Sequence, residues 1–222
     1  MSFERSLLKN GESNRPDSMP KAVELPELDY LKLIENASLS PGKKLDVVLL
    51  LLGKKPATQV GNFQVVDGLS PKEKESVEND FDKEFKSILE MLDALLLRYS
   101  IKQSPQETDG IFGYSILVAS DDDTLSKTIN ADERGDDAAF GLLMGYPETA
   151  VQAYLSGDSF DYDEELPFED YESLKKEGLM PFLYFMPSKA HWKKEFEYAR
   201  GNRDLIREKC PKLYTELVSG IE

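Results

Sequence analysis

Residues Ser70 to Tyr99 read SPKEKESVENDFDKEFKSILEMLDALLLRY, and the spacing of their apolar side chains frames the rest of the chain. Ser70, Pro71 and Glu73 make a helix start. The serine hydroxyl can accept from a free amide, proline at the first position needs no amide partner, and the glutamate complements the positive helix end. Val77, Phe81, Phe85, Ile88, Leu92, Leu95 and Tyr99 then recur at steps of three and four. That spacing predicts one amphipathic helix of about 28 residues, roughly 42 Å long, whose stripe is either the spine of a core or a seam against a second copy.

Toward the N-terminus, Leu28, Leu31 and Ile34 have helical spacing, and Ser40-Pro41 opens a further helix that Gly53 can close. A strand is the rival for Leu45 to Leu52, favoured by Val47 and Val48 but opposed by four consecutive leucines. Phe63 to Val66 reads as a short strand, and Ile111 to Ala119 and Pro181 to Met186, rich in β-branched or aromatic residues, read as two more. Helices are expected around Phe168 to Glu177, and from Ser188 nearly to the end, punctuated at Gly201-Asn202 and Cys210-Pro211. The resulting class is α+β, predominantly helical with a small sheet of about three strands. Residues 1–25 lack apolar period and are expected to be a mobile tail, leaving 26–222 as a single α+β domain.

The chain has 222 residues, 22 of them aromatic, enough to build a full core. The longest obvious apolar run, Val47 to Leu52, is far short of the roughly 20 residues that span a bilayer, and Glu4 and Arg5 argue against a secretory signal, so no membrane association is expected. One cysteine, Cys210, permits no internal disulfide and fits a cytoplasmic location. The formal net charge of −15 is uneven: residues 105–180 hold 4 basic and 19 acidic groups, while the flanking segments nearly balance. Such a field repels phosphate backbones, so nucleic acid is not an expected partner, whereas a basic protein partner is.

Several chemistries can be weighed on the acidic residues. Taking Asp161 as the first position of a calcium loop puts Asp163 and Glu165 at positions three and five, but Leu166 and Pro167 stand where the loop needs a glycine turn. Asp121, Asp122 and Asp123 follow a strand, where carboxylates can hold Mg²⁺, yet no phosphate loop accompanies them and a helix cap made by Ser120 or an aspartate is the favoured reading. His191 is the only histidine, with Glu195 one helical turn on, a spacing that would suit a base and its orienter. No nucleophile is signalled beside them, and single copies of His and Cys are too few for a structural zinc. No catalytic residue, cofactor or metal is therefore assigned.

The stretch Phe140 to Leu155, FGLLMGYPETAVQAYL, sets a corner between two helical runs. Gly145 can end the first in a left-handed cap, and Pro147 restarts the next at its first position. The segment resembles the GLLLGYPxCCVxxF stretch of a group of uncharacterised prokaryotic proteins. It keeps Gly145, Tyr146, Pro147, Val151 and an aromatic at Tyr154, with Thr149 and Ala150 in place of the paired cysteines. That group implies no activity to carry over, and without the cysteines it implies no metal or redox role. Tyr146 and Glu148 are not explained by the bend, and with His191 they are the candidate binding residues. The expected function is non-enzymatic: protein–protein contact through the acidic central region. The alternative is a hydrolase or transferase with a carboxylate-centred site, Mg²⁺-dependent, built from Asp121 to Asp123, Glu148 and His191.

Overall fold

The computed structural model describes residues 27–108 and 110–219. Its organising element is the strand β3 (Ile111–Ala119), the centre of a three-stranded antiparallel sheet ordered β1-β3-β2, with β1 at Ala57–Val65 and β2 at Arg98–Thr108. The helices α1 (Glu27–Glu35) and α2 (Pro41–Leu51) precede β1, and α3 (Pro71–Ala94) separates β1 from β2. After the sheet come α4 (Asp122–Arg134), α5 (Asp137–Leu143), α6 (Glu148–Ser156), α7 (Tyr162–Glu165) and α8 (Phe168–Lys176), then α9 (Trp192–Lys209) and α10 (Pro211–Ser219). The class is α+β, predominantly helical with a small sheet. No helix among the described residues is long and apolar enough to cross a membrane.

The central strand lacks polar alternation because both its faces are covered. Successive strand residues point to opposite faces, and the two sets enter different cores. Phe112, Tyr114, Ile116 and Val118 join Phe81, Ile88 and Leu92 of α3 and the buried leucines of α2. Leu117 and Ala119 instead meet Leu125 of α4 and Met144 after α5. The sheet is thus the middle layer between α2/α3 and α4. Gly113 is required here: a Cβ would lie 2.3 Å from the Asn62 carbonyl oxygen, and the Phe63 ring covers the site.

The helix start at Ser70 forms as its sequence dictates, with a reciprocal capping box to Glu73. The helix is shorter than the stripe, however. It ends at Ala94, and Leu96 takes a left-handed conformation at φ +59°, unfavourable for leucine, before the chain enters β2. Nothing local punctuates MLDALLLRYS; pairing of Arg98 and Tyr99 with β3 overrides the helical period. The α2 segment is helical, not a strand, and Gly53 adopts the left-handed conformation after it.

The strand expected at Pro181 to Met186 does not form. Met180–Phe182 is a single 3-10 turn, and the following residues join no ladder. Its place in the sheet belongs to β2, a polar edge strand whose Pro105 lies in the register irregularity between Gln103 and Gln106. Gly201-Asn202 does not punctuate α9, which runs unbroken to Lys209; Cys210 and Pro211 do separate α9 from α10. The expected mobile tail, residues 1–25, lies outside the described residues.

Candidate functional site

The Phe140 to Leu155 corner is built by its backbone. The Gly145 amide donates to the Leu142 carbonyl and the Tyr146 amide to that of Gly141, a paired closure that uses the free carbonyls at the end of α5. Gly145 sits at φ +77°, and an added Cβ would meet the Lys54 carbonyl oxygen at 2.9 Å. Pro147 stands one position earlier than expected, as the residue before the first turn of α6, so Glu148 is the first helical residue. At Gly141 a Cβ would approach the Val151 side chain to 3.0 Å, so this glycine lets α5 and α6 pack closely.

Folding the two helices back on each other opens a cleft of about 490 Å³. Its floor comes from Val151, Phe160, Leu183 and Phe185, all buried. Its mouth carries the exposed Tyr154, Met186, Asp137 and Asp161, and no Lys or Arg lines it. Tyr146 lines the wall beside Tyr184, with ring centroids 6.0 Å apart.

A polar cluster beneath this wall fixes the rings. Lys55, only 4% exposed, pairs with Asp46 at 2.5 Å and lies 3.9 Å from the centroid of the Tyr184 ring. The Tyr198 hydroxyl donates to the Gly145 carbonyl at 2.9 Å, and Asn202 donates to the Tyr184 hydroxyl at 3.1 Å. Burial, and then the hydrogen bond with Tyr198, push the Tyr184 phenol well above its ordinary range. Burial, followed by the charge of Asp46, raises Tyr146 as well. Both phenols are therefore neutral groups near neutral pH, able to donate but unavailable as phenolate bases.

Glu148 and His191 do come together, but not with Tyr146. They line a separate, shallower groove of about 600 Å³ with Gln152, Asp158 and Lys189. Glu148 is exposed in the first turn of α6, where its charge complements the helix dipole. His191 is exposed and precedes the first turn of α9. Its expected orienter points elsewhere: Glu195, 1% exposed, accepts from the Thr149 hydroxyl at 2.5 Å and the Ser188 amide at 2.8 Å. This carboxylate is a latch between α6 and the chain entering α9, supported by its place in the first turn of α9. Thr149, in the first turn of α6, is its side-chain partner.

The remaining acidic candidates are occupied locally. Asp121 caps α4 through the Thr124 amide at 2.8 Å, which with the Thr124 and Ser120 hydroxyls holds its carboxyl below the ordinary range. Asp122 pairs with Arg98 and Asp123 with Lys127. They lie along neither cavity, so the carboxylate-centred set of Asp121 to Asp123, Glu148 and His191 is not assembled. The calcium-loop frame fails in space as in sequence, because α7 (Tyr162–Glu165) winds positions two to five of that frame into a helical turn instead of an open loop. Among the described residues no group of three or more His, Cys, Asp or Glu could hold a metal ion.

Lys55, Tyr184, Tyr198 and Glu195 carry no motif, and their contacts span long stretches of chain, up to the 144 residues between Lys54 and Tyr198. The one available signal is the run of aromatics from Tyr154 to Phe185, too dense for a core that already has its spine. Comparison with family models, curated proteins and solved structures finds no match to this chain.

Proposed function

We propose that the protein is a non-enzymatic interaction module that docks a basic protein partner through its acidic central region. The observation that carries this reading is a coincidence of two surface features. Leu142, Tyr154, Leu155 and Phe168, the last 77% exposed, are large apolar side chains displayed within the same segment that holds the charge imbalance. Exposed apolar anchors supply affinity at interfaces, and surrounding charge supplies encounter rate and partner choice.

The distribution of ion pairs supports the same reading. Lys102, Arg98 and Arg200 neutralise Asp132, Asp122 and Glu177 where the acidic segment abuts β2 and α9. Among the described residues no ion pair reaches Asp137, Glu148, Glu169 or Asp170, which flank the exposed apolar groups. These groups complement the helix starts of α5, α6 and α8 but are matched by no cationic side chain among the described residues, and their charge faces solvent where a partner can meet it. A cytoplasmic setting fits the lone, buried Cys210.

The test is affinity capture with the full chain, compared with Leu155→Ser and Phe168→Ser variants and quantified by mass spectrometry. Both side chains are exposed, so the variants keep the wild-type melting temperature. The expected result is a set of basic proteins captured by wild type, lost with the variants and lost in high salt. Capture that ignores both the substitutions and the salt refutes the proposal.

A further inference from the structure

The sheet has two edges, and only one of them is guarded. The outer strand β2 carries Arg98, Lys102 and Pro105 and pairs with β3 through two shifts of register, features that deter further strand pairing. The other outer strand, β1, reads ATQVGNFQV: it has no charged residue and no proline, and its register with β3 runs unbroken from Ala57 to Val65. Ala57, Thr58 and Val60 are buried, but toward its end the strand opens to solvent, with Phe63 51% and Val65 67% exposed. We infer that this open half of β1 is a self-association edge, at which a second copy of the chain adds its own β1 antiparallel about a two-fold axis to make a closed dimer.

The backbone supplies the groups that such pairing needs. The Val66 amide donates to the Gly110 carbonyl at 2.8 Å, and antiparallel ladders alternate, so the amides and carbonyls of Gly61, Phe63 and Val65 face away from β3. Among the described residues no strand pairs on that side, and no backbone hydrogen bond outside the β3 ladder reaches residues 61–65. The side chains of Phe63 and Val65 share one face of the sheet with Ile111, which lies opposite Val65. On that face α4 covers only the far end, through Leu125 against Leu117 and Ala119. Phe63, Val65 and the 41% exposed Ile111 are left as an apolar patch beside the free edge.

Charge selects a second copy as the occupant. A two-fold axis sets the edge against itself, so a charge on it would meet its like. In a chain of net charge −15, a nine-residue edge strand with no charge is where two copies can approach without that cost. With Phe63 on the axis, its ring meets its own copy as a cross-strand aromatic pair, and Val65 comes opposite Gly61, whose missing side chain leaves it room. A basic partner finds no carboxylate on this strand. Because pairing uses up both open β1 edges and each β2 edge is guarded, assembly stops at two copies.

The test is sedimentation velocity of the full chain from about 1 to 200 µM, a range that brackets the micromolar affinity of a small interface. The 25.1 kDa chain should pass reversibly from monomer to dimer, with a Kd on the order of 10 µM. Added salt screens the net negative charge and should tighten the dimer. Val65→Lys puts a charge on the edge, and Val65→Pro removes an outward amide while leaving the β3 ladder whole; each should raise the Kd at least about tenfold. Hydrogen exchange of the wild-type chain gives a readout that needs no variant: the amides of Gly61, Phe63 and Val65 should exchange more slowly in the dimer, with that of Gln64 unchanged. A monomer throughout, growth beyond the dimer, a dimer that salt dissolves, a Kd unmoved by both variants, or exchange at the three amides that ignores concentration overturns the inference. The edge shares no residue with the surface around Leu155 and Phe168, so loss of partner capture in the preceding experiment leaves it standing.

Discussion

Removal of the Glu195 carboxylate should loosen the joint between α6 and α9 and separate a structural from a catalytic role for the His191 neighbourhood. In Glu195→Ala both acceptors vanish, and the Ser188 amide, in a residue only 3% exposed, loses its partner. Hydrogen bonds to charged acceptors contribute about 1.5–3 kcal/mol each, and a buried orphan donor costs about 1–3 kcal/mol. Returning a buried charge to the reference state offsets part of this, so the net loss should be about 3 kcal/mol. For a domain of this size that lowers the melting temperature by about 6–12 °C. Glu195→Gln behaves differently. Its carbonyl can accept from Ser188 while its amide donates to Thr149, so it loses only the charge assistance, about 1 kcal/mol or roughly 2–4 °C. Differential scanning calorimetry of both variants, with Thr149→Val to close a double-mutant cycle, measures the coupling directly. A Glu195→Ala melting temperature within about 2 °C of wild type, or a Glu195→Gln loss equal to that of alanine, would refute the latch.

Other parts of the fold give sharper contrasts. Gly145→Ala should cost about 2 kcal/mol or more, the left-handed strain plus the contact with Lys54 and Lys55, whereas Gly135→Ala, also left-handed but with open space around it, should cost only the strain of about 1 kcal/mol; denaturant titration of the pair isolates the close approach. Burial alone would raise the Glu84 carboxyl, but hydrogen bonds from Lys43 and Asn62 and the Lys43 charge outweigh it and hold the group below its ordinary range. A depressed folded-state value gives stability that is complete above the unfolded value of 4.5 and lost as pH falls through the folded value, so the deficit of Glu84→Gln at neutral pH should shrink on acidification in urea melts. Cys210 is buried and its thiol is pushed up to about 12, first by burial and then by the charge of Glu35, so iodoacetamide at mildly alkaline pH should label it only after denaturation. Labelling of the native protein at the denatured rate contradicts that placement.

What could be read from the chain divides along the range of the interactions. Helix starts were legible because capping is local: Ser70 and Glu73, Ser40-Pro41, and Asp121 each declare themselves within four residues. The central strand was legible because β3 is buried on both faces and therefore continuously apolar. The strand β2 was not, since an edge strand needs no apolar face to water and this one contains Pro105. Its partner error, the strand expected at Pro181 to Met186, follows from the same physics: a short apolar run signals burial, and burial in a cleft floor looks the same as burial in a sheet. Of the candidate binding residues, Tyr146 lines the cleft at the corner, whereas Glu148 and His191 line another groove. Lys55 and Glu195 owe their roles to residues far along the chain, which no spacing rule reaches.

The bend and the cleft turn out to be one construction. Gly145 is needed because a side chain there would meet Lys54 and Lys55, and the same Lys55 lies over the Tyr184 ring. Gly141 is needed because α5 and α6 must approach closely, and that approach sets Tyr146 and Val151 along a common cavity. The Tyr198 hydroxyl then ties the Gly145 carbonyl to α9, while Glu195 ties the start of α6 to the same helix. Three of the four tethers that shape the cleft are therefore also the tethers that terminate or restart a helix. A corner whose purpose was only to reverse the chain would be satisfied by glycine and proline alone, with polar residues facing water. Here it is buttressed by a half-buried ion pair, whose lysine is buried, and by three tyrosines, at a desolvation cost that a simple turn does not need to bear. That excess of organisation around Tyr146 makes the corner the frame of a cleft rather than a mere connection.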